Sequence, residues 1–185
     1  MRRHTSDSPP VSLGRSRGFT LMELMFTLLL AGILLGIGVP SFRGMIANNR
    51  LSSQTNEIIA AINMARSEAI TRNTRITLCR AENETATECA TDDDPWESWL
   101  ILNAAGDVLR TGVFNTYSGS IFVTAEFADQ TVIFQPDGLS RTSAGLIVDE
   151  AITICSTQVP TDNVRTITLG AGSRISSAKT TGSCS

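Results

Sequence analysis

From Phe19 to Val39 apolar residues dominate, and from Leu24 to Val39 the run carries no charge. About 20 apolar residues suffice for a membrane-spanning helix, and this stretch just provides them. Glu23 sits in the first turn of that run. A carboxylate in a spanning helix costs roughly 2.5–3.5 kcal/mol on insertion scales and marks a paired, working group. Beyond Pro40 the pattern becomes amphipathic. Ile58, Ile62, Ala65 and Ala69 recur at helical spacing with Ile59 beside them, while Glu57, Asn63, Arg66 and Arg72 fall on other faces. The two stretches read as one helix from Phe19 to about Arg72. Gly36, Gly38 and Pro40 weaken its middle, at about 1 kcal/mol for a glycine and about 3 kcal/mol for a proline relative to alanine, so a kink or local melting is expected there. At ~1.5 Å per residue such a helix spans on the order of 80 Å, more than the core of one small domain needs. Extended assemblies use that length.

After Arg72 the period switches to two and β-formers take over. The expected strands are Arg75–Arg80, Ser98–Asn103, Val108–Thr111, Ser120–Phe127, Val132–Gln135, Ile152–Ser156, Arg165–Leu169 and a short one near Ile175. Ala105-Gly106-Asp107 and Pro136-Asp137-Gly138 suit tight reversals between them. The pattern predicts an α+β protein, an antiparallel β domain leaning on one long helix. Its segments are a polar leader over 1–18, an apolar half-helix over 19–40, an amphipathic half-helix over 41–72 and a β domain over 73–185.

Charge adds a direction to this plan. The formal net charge is −3, but residues 1–18 hold Arg2, Arg3, Arg15 and Arg17 against Asp7 alone. Without them eleven basic and seventeen acidic residues remain, and a chain that acidic is no general polyanion binder. Basic residues ahead of an apolar span stay cytoplasmic, which places the N-terminus inside and everything after Pro40 outside. Cys79, Cys89, Cys155 and Cys184 then meet an oxidising compartment. Four cysteines allow three pairings. Cys79–Cys89 and Cys155–Cys184 are favoured because each closes a local loop, the second tying the chain end back to a strand.

Arg17-Gly18-Phe19-Thr20-Leu21-Met22-Glu23, the apolar run and Pro40 together resemble the class III signal peptides of type IV pilins and type II secretion pseudopilins. An ordinary secretory signal is cut after its apolar core at an A-x-A-like site, and Val39-Pro40-Ser41-Phe42 holds none. The resemblance implies cleavage between Gly18 and Phe19 by a prepilin peptidase, N-methylation of Phe19, and an assembly role for Glu23. It also implies a single-pass inner-membrane precursor that moves to a pilus at the cell surface, with other pilins as partners. Ile62-Asn63-Met64-Ala65-Arg66-Ser67-Glu68-Ala69-Ile70-Thr71-Arg72 and Phe134-Gln135-Pro136-Asp137-Gly138 are similar to stretches of the minor pilins FimT and FimU and the pseudopilin GspH. Those families share a pilin helix followed by two small β-sheets. Glu68 and Arg72 stand at i,i+4 spacing, worth ~0.2–0.5 kcal/mol as an ion pair; the alternative is that Arg66 and Glu68 anchor the helix to the first strand.

Candidate chemistry is sparse. The single histidine, His4, lies in the leader, which removes histidine-based acid–base catalysis and the usual activated nucleophiles from the mature chain. No enzyme and no cofactor is expected. Asp92-Asp93-Asp94 with Glu97 offers oxygen ligands for calcium but lacks EF-hand spacing and reads as a solvated turn, so no metal is expected. Trp96 and Trp99 fall on opposite or diverging strand faces, one in the core and the other either at a subunit contact or, as is more common, in the core as well. Arg165, Arg174 and Lys179 face no acidic residue in the sequence tail and form a candidate DNA-tracking patch, as in some FimT-type pilins. Here Ser173-Arg174-Ile175-Ser176 departs from the compact basic motif of those proteins. No aromatic residue follows Phe134 to stack bases. The expected function is that of a minor pilin in a type IV pilus, with DNA uptake and a GspH-like role in type II secretion as alternatives.

Overall fold

The computed structural model describes residues 18–114 and 120–184, with the side chains of 37–41 outside the description. The leader over 1–17 therefore lies outside the described residues. The chain divides after Pro40 into two compact units, and each is described separately.

Helix α1 runs over Leu21–Arg72. It continues through Gly36, Gly38 and Pro40, so the local melting expected there does not occur. One proline removes one hydrogen bond from the ladder, and long helical stretches on either side hold the backbone. In the first unit the side chains of Leu21–Leu35 are exposed, Leu21 at 78% and Leu34 at 71%. Among the described residues no helix is long and apolar enough to cross a membrane. The described apolar part of α1 ends at Gly36, short of the expected span over Phe19–Val39, whose last three side chains fall outside the description.

In the second unit α1 buries one stripe, Ala47, Leu51, Ile58, Ile62, Ala65 and Ala69, as the helical spacing predicts. Among the described residues nine strands follow: β1 (Ile76–Ala81), β2 (Ser98–Leu102), β3 (Val108–Val113), β4 (Ile121–Ala125), β5 (Thr131–Phe134), β6 (Ser140–Arg141), β7 (Glu150–Ser156), β8 (Val164–Gly170) and β9 (Arg174–Thr180). They form two antiparallel sheets, ordered β3-β2-β1-β5-β6 and β4-β7-β8-β9. Every expected strand is present with shifted ends. Two-residue β6 was not expected, and the short strand near Ile175 is seven residues long. Ile76, Leu78, Val132 and Phe134 of the first sheet and Val123, Ile152, Ile154 and Ile167 of the second meet the helix stripe in one core.

The opposite face of the first sheet has its own small cluster of Cys79, Ala81 and Leu100, covered by Ala86 and Cys89. Cys79 is bonded to Cys89 across a Cα separation of 5.6 Å, so the bridge pins the loop after β1 onto this face. Both tryptophans are buried, Trp96 at 0% and Trp99 at 2% exposure, so neither stands ready for a subunit contact. Trp96 precedes β2, and its backbone N–H donates to the Val123 carbonyl at 2.8 Å. Its indole N–H donates to Gln130 Oε1 at 2.6 Å. Trp99 lies on β2 opposite Gly112, whose bare Cα the indole covers. A Cβ at Gly112 would come within 2.3 Å of the ring.

Candidate functional site

The helix start supplies the first candidate. Phe19 is 81% exposed, and Thr20 precedes the first helical residue. Thr20 Oγ1 accepts the Glu23 backbone N–H at 3.2 Å, an N-cap that satisfies one orphan donor of the first turn. The pattern Thr20-x-x-Glu23 is a capping-box signature, a signal the sequence reading passed over. Glu23 is exposed, and among the described residues it makes no ion pair. Its place in the first turn sets the carboxylate in the favourable field of the helix N-terminus.

The second candidate is a junction of three layers. The turn at Pro136-Asp137-Gly138 needs a positive φ, and Gly138 adopts +76° beside Ile70 and Arg66 of the helix. Arg66 Nη1 donates to the Ser173 carbonyl at 3.1 Å. Ser173, itself at φ +57°, takes the Ser140 backbone N–H on its Oγ at 2.5 Å and donates to Ser140 Oγ at 3.0 Å. The two sequence stretches around Arg66 and Gly138 thus meet in space and join the helix to both sheets. Glu68 does not take part; it pairs with Arg72 along the helix. Arg66 anchors the β8–β9 corner and not the first strand.

The basic tail is not one patch. Arg165 is 3% exposed. It donates to the carbonyls of Asp162 and Val164 and, at 2.9 Å, to Asn48 Oδ1 on the helix. It is a buried pin and is not available to phosphates. Its orientation follows from the inward face of β8, which sequence alone left open. Arg174 and Lys179 are exposed at opposite ends of β9. The tail beyond β9 returns to β7 through Cys155–Cys184, at a Cα separation of 5.5 Å. Asn163 binds the same segment twice, donating to Gly182 O at 2.8 Å and accepting Gly182 N–H at 3.0 Å.

The acidic loop does not converge on a cation. Asp92 pairs with buried Arg80, and Asp93 accepts from Gln130 Nε2 at 3.3 Å. Among the described residues no group of three or more acidic, cysteine or histidine side chains is placed to hold a metal. Two carboxyls elsewhere are perturbed. Burial raises the Glu57 pKa, against the lowering influence of Trp99 and Arg110. Burial also raises that of Glu150, with Glu126 adding to the effect and the Ala128 backbone opposing it.

Among the described residues, a long helix packed through its second half on two small antiparallel sheets defines the pilin-type fold. The chain belongs to the GspH family: the family model described as type II transport protein GspH matches residues 54–173, more than half of the chain. The prokaryotic N-terminal methylation motif matches residues 13–39. Two crystal forms of the type IV minor pilin FimU of Pseudomonas aeruginosa share the fold. One, in space group P65, is 20% identical, covers 69% of this chain and 91% of FimU, and has a TM-score of 0.50. The other, in space group P21, is 21% identical, with coverages of 70% and 88% and a TM-score of 0.51. The minor pseudopilin EpsH of Vibrio cholerae is 10% identical, with coverages of 72% and 96% and a TM-score of 0.46. No curated protein sequence matches the chain. The family match and the methylation motif make the protein a minor pilin or pseudopilin. Proteins of this kind assemble with other pilins in filaments.

Proposed function

We propose that the chain is a minor pilin of a type IV pilus. It is made as an inner-membrane precursor with a cytoplasmic N-terminus, cut between Gly18 and Phe19 by a prepilin peptidase and methylated at Phe19. After that it leaves the membrane to join a filament that reaches the cell surface. The segments 1–18, 19–40, 41–72 and 73–185 act as leader, filament-core half-helix, amphipathic half-helix and β domain. The observation that carries the reading is the exposed apolar start of α1 with one carboxylate in its first turn, inside the match to the methylation motif. In a bundle of such helices Glu23 meets the N-terminal ammonium of Phe19 on an adjacent subunit. A buried carboxylate lacking that partner is strongly unfavourable, so the pairing selects register. Glu23→Ala is expected to be processed normally but to fall at least about tenfold in sheared filaments relative to membranes, by quantitative immunoblot. Mass spectrometry of the mature chain tests the cut site: a first residue other than methylated phenylalanine overturns the reading.

The family match favours a second reading, a GspH-like pseudopilin of type II secretion. Deletion in the native host separates the two: loss of surface pili supports the first and loss of exoprotein release the second. The DNA-uptake reading loses one of its three cations, because Arg165 is buried and hydrogen-bonded within the protein. Only Arg174 and Lys179 remain for it, and a salt-dependent DNA shift abolished by Arg174→Ala and Lys179→Ala is its test.

A further inference from the structure

Strand β9 ends its sheet, so among the described residues its outer edge pairs with nothing. It keeps regular register with β8 from Gly170↔Arg174 to Val164↔Thr180, with no bulge, and contains no proline. Natural sheets blunt an open edge by shortening it, bulging it or placing proline or charge on it. This edge runs seven residues, and its charges, Arg174 and Lys179, stand only at the two ends.

Beside the edge lies a groove of about 460 Å³, lined by Ile59, Asn63 and Arg66 of the helix and by residues 173–177. Ile59 and Ile175, both half-buried, give it an apolar floor. Among the described residues no carboxylate lines it. The Arg66 guanidinium is held there by its bond to the Ser173 carbonyl, and exposed Arg174 makes no ion pair among the described residues. A free strand edge offers main-chain donors and acceptors to an extended segment, and flanking pockets select its alternate side chains. Guanidinium groups on either side favour carboxylates by charge-assisted hydrogen bonds. A single-stranded nucleic acid would need aromatic platforms, and among the described residues none lines the groove.

We propose that the β9 edge is a docking site for an extended segment of another polypeptide with alternating apolar and acidic residues, which joins the four-stranded sheet as its fifth strand. The arginines act as a selector, repelling basic strands and admitting acidic ones. This contact is separate from polymerisation through the helix and does not depend on it.

The test uses the full chain in detergent micelles. The probes are a short capped peptide alternating valine and glutamate, its valine–lysine counterpart, and a thymidine oligonucleotide. The valine–glutamate peptide is expected to bind and to slow hydrogen exchange at β9 amides by about tenfold or more. Arg174→Glu, at an exposed position, is expected to weaken that peptide by about tenfold or more and to shift preference to the lysine form. Successive amides of an edge strand point alternately inward and outward, so one of Ser176→Pro and Ser177→Pro keeps the β8 ladder while blocking the added strand. Equal binding of both peptides, protection at β3 in place of β9, preference for the oligonucleotide, or self-association through β9 without peptide binding would each overturn the proposal.

Discussion

At Gly112 the absence of a side chain is what lets the Trp99 indole lie flat on β3. Gly112→Ala is expected to push the ring out of place and destabilise the protein by about 1–3 kcal/mol, read from urea unfolding. Arg165 is satisfied by carbonyls and an amide. Its truncation to alanine strands those acceptors, and a loss of about 2–3 kcal/mol is expected with no change in affinity for DNA. Glu57 behaves in the opposite sense. Its folded-state pKa lies above the ordinary 4.5, chiefly through burial. The folded chain therefore binds the proton more tightly, and stability falls as pH rises from about 4.5 through the raised folded value. Glu57→Gln is expected to be more stable than the parent near pH 7, with the difference closing below about pH 4 in thermal melts across pH. The sequence did not foretell the fate of Arg165. An arginine whose N–H groups are satisfied by backbone carbonyls leaves no acidic partner to find, so the tail read as a basic surface. The Glu23 carboxylate was legible because one charge in an apolar run stands out; Thr20, a small polar residue beside it, was not.

Among the elements, α1 was the most legible, since its buried stripe repeats at the helical period from Ala47 to Ala69. The strands were legible too, but their order was not. The pairing of β1 with β5, which sets β2 and β5 on either side of β1, leaves no local mark in the chain. The two tryptophans illustrate the same limit. Strand alternation was applied to both, yet only Trp99 lies on a strand, and Trp96 hangs between the sheets ahead of β2. The disulfides also belong to this scale. In the chain-entropy account the bridge over a sequence separation of 10 contributes about 2.7 kcal/mol and that over 29 about 3.6 kcal/mol. The Cys155→Ser, Cys184→Ser double variant is therefore expected to unfold at lower urea with a steeper slope, because the freed unfolded chain exposes more surface. Limited proteolysis of the same variant should clip first beyond Thr180, where only Asn163 and its neighbours still hold the tail.

At the scale of the whole chain, class and family could be read from the N-terminus, the Arg66 stretch and the Gly138 turn, because each is local. Their meeting at Ser173 could not, because it joins residues more than a hundred positions apart. The function of a filament protein lies in its neighbours, and no single chain encodes their number or order. The covalent bridges have a further consequence. One secures a loop to the first sheet and the other fastens the terminus to the second; neither touches α1. A filament hauled against resistance loads its subunits along that rod. Among the described residues the helix is held by greasy packing and by hooks that include Arg66 and Asn48, with neither bridge across it, so the rod is expected to shear free of the β layers while both layers stay knotted. Pulling single molecules by the helix end should give a first rupture that is the same in oxidised and reduced protein.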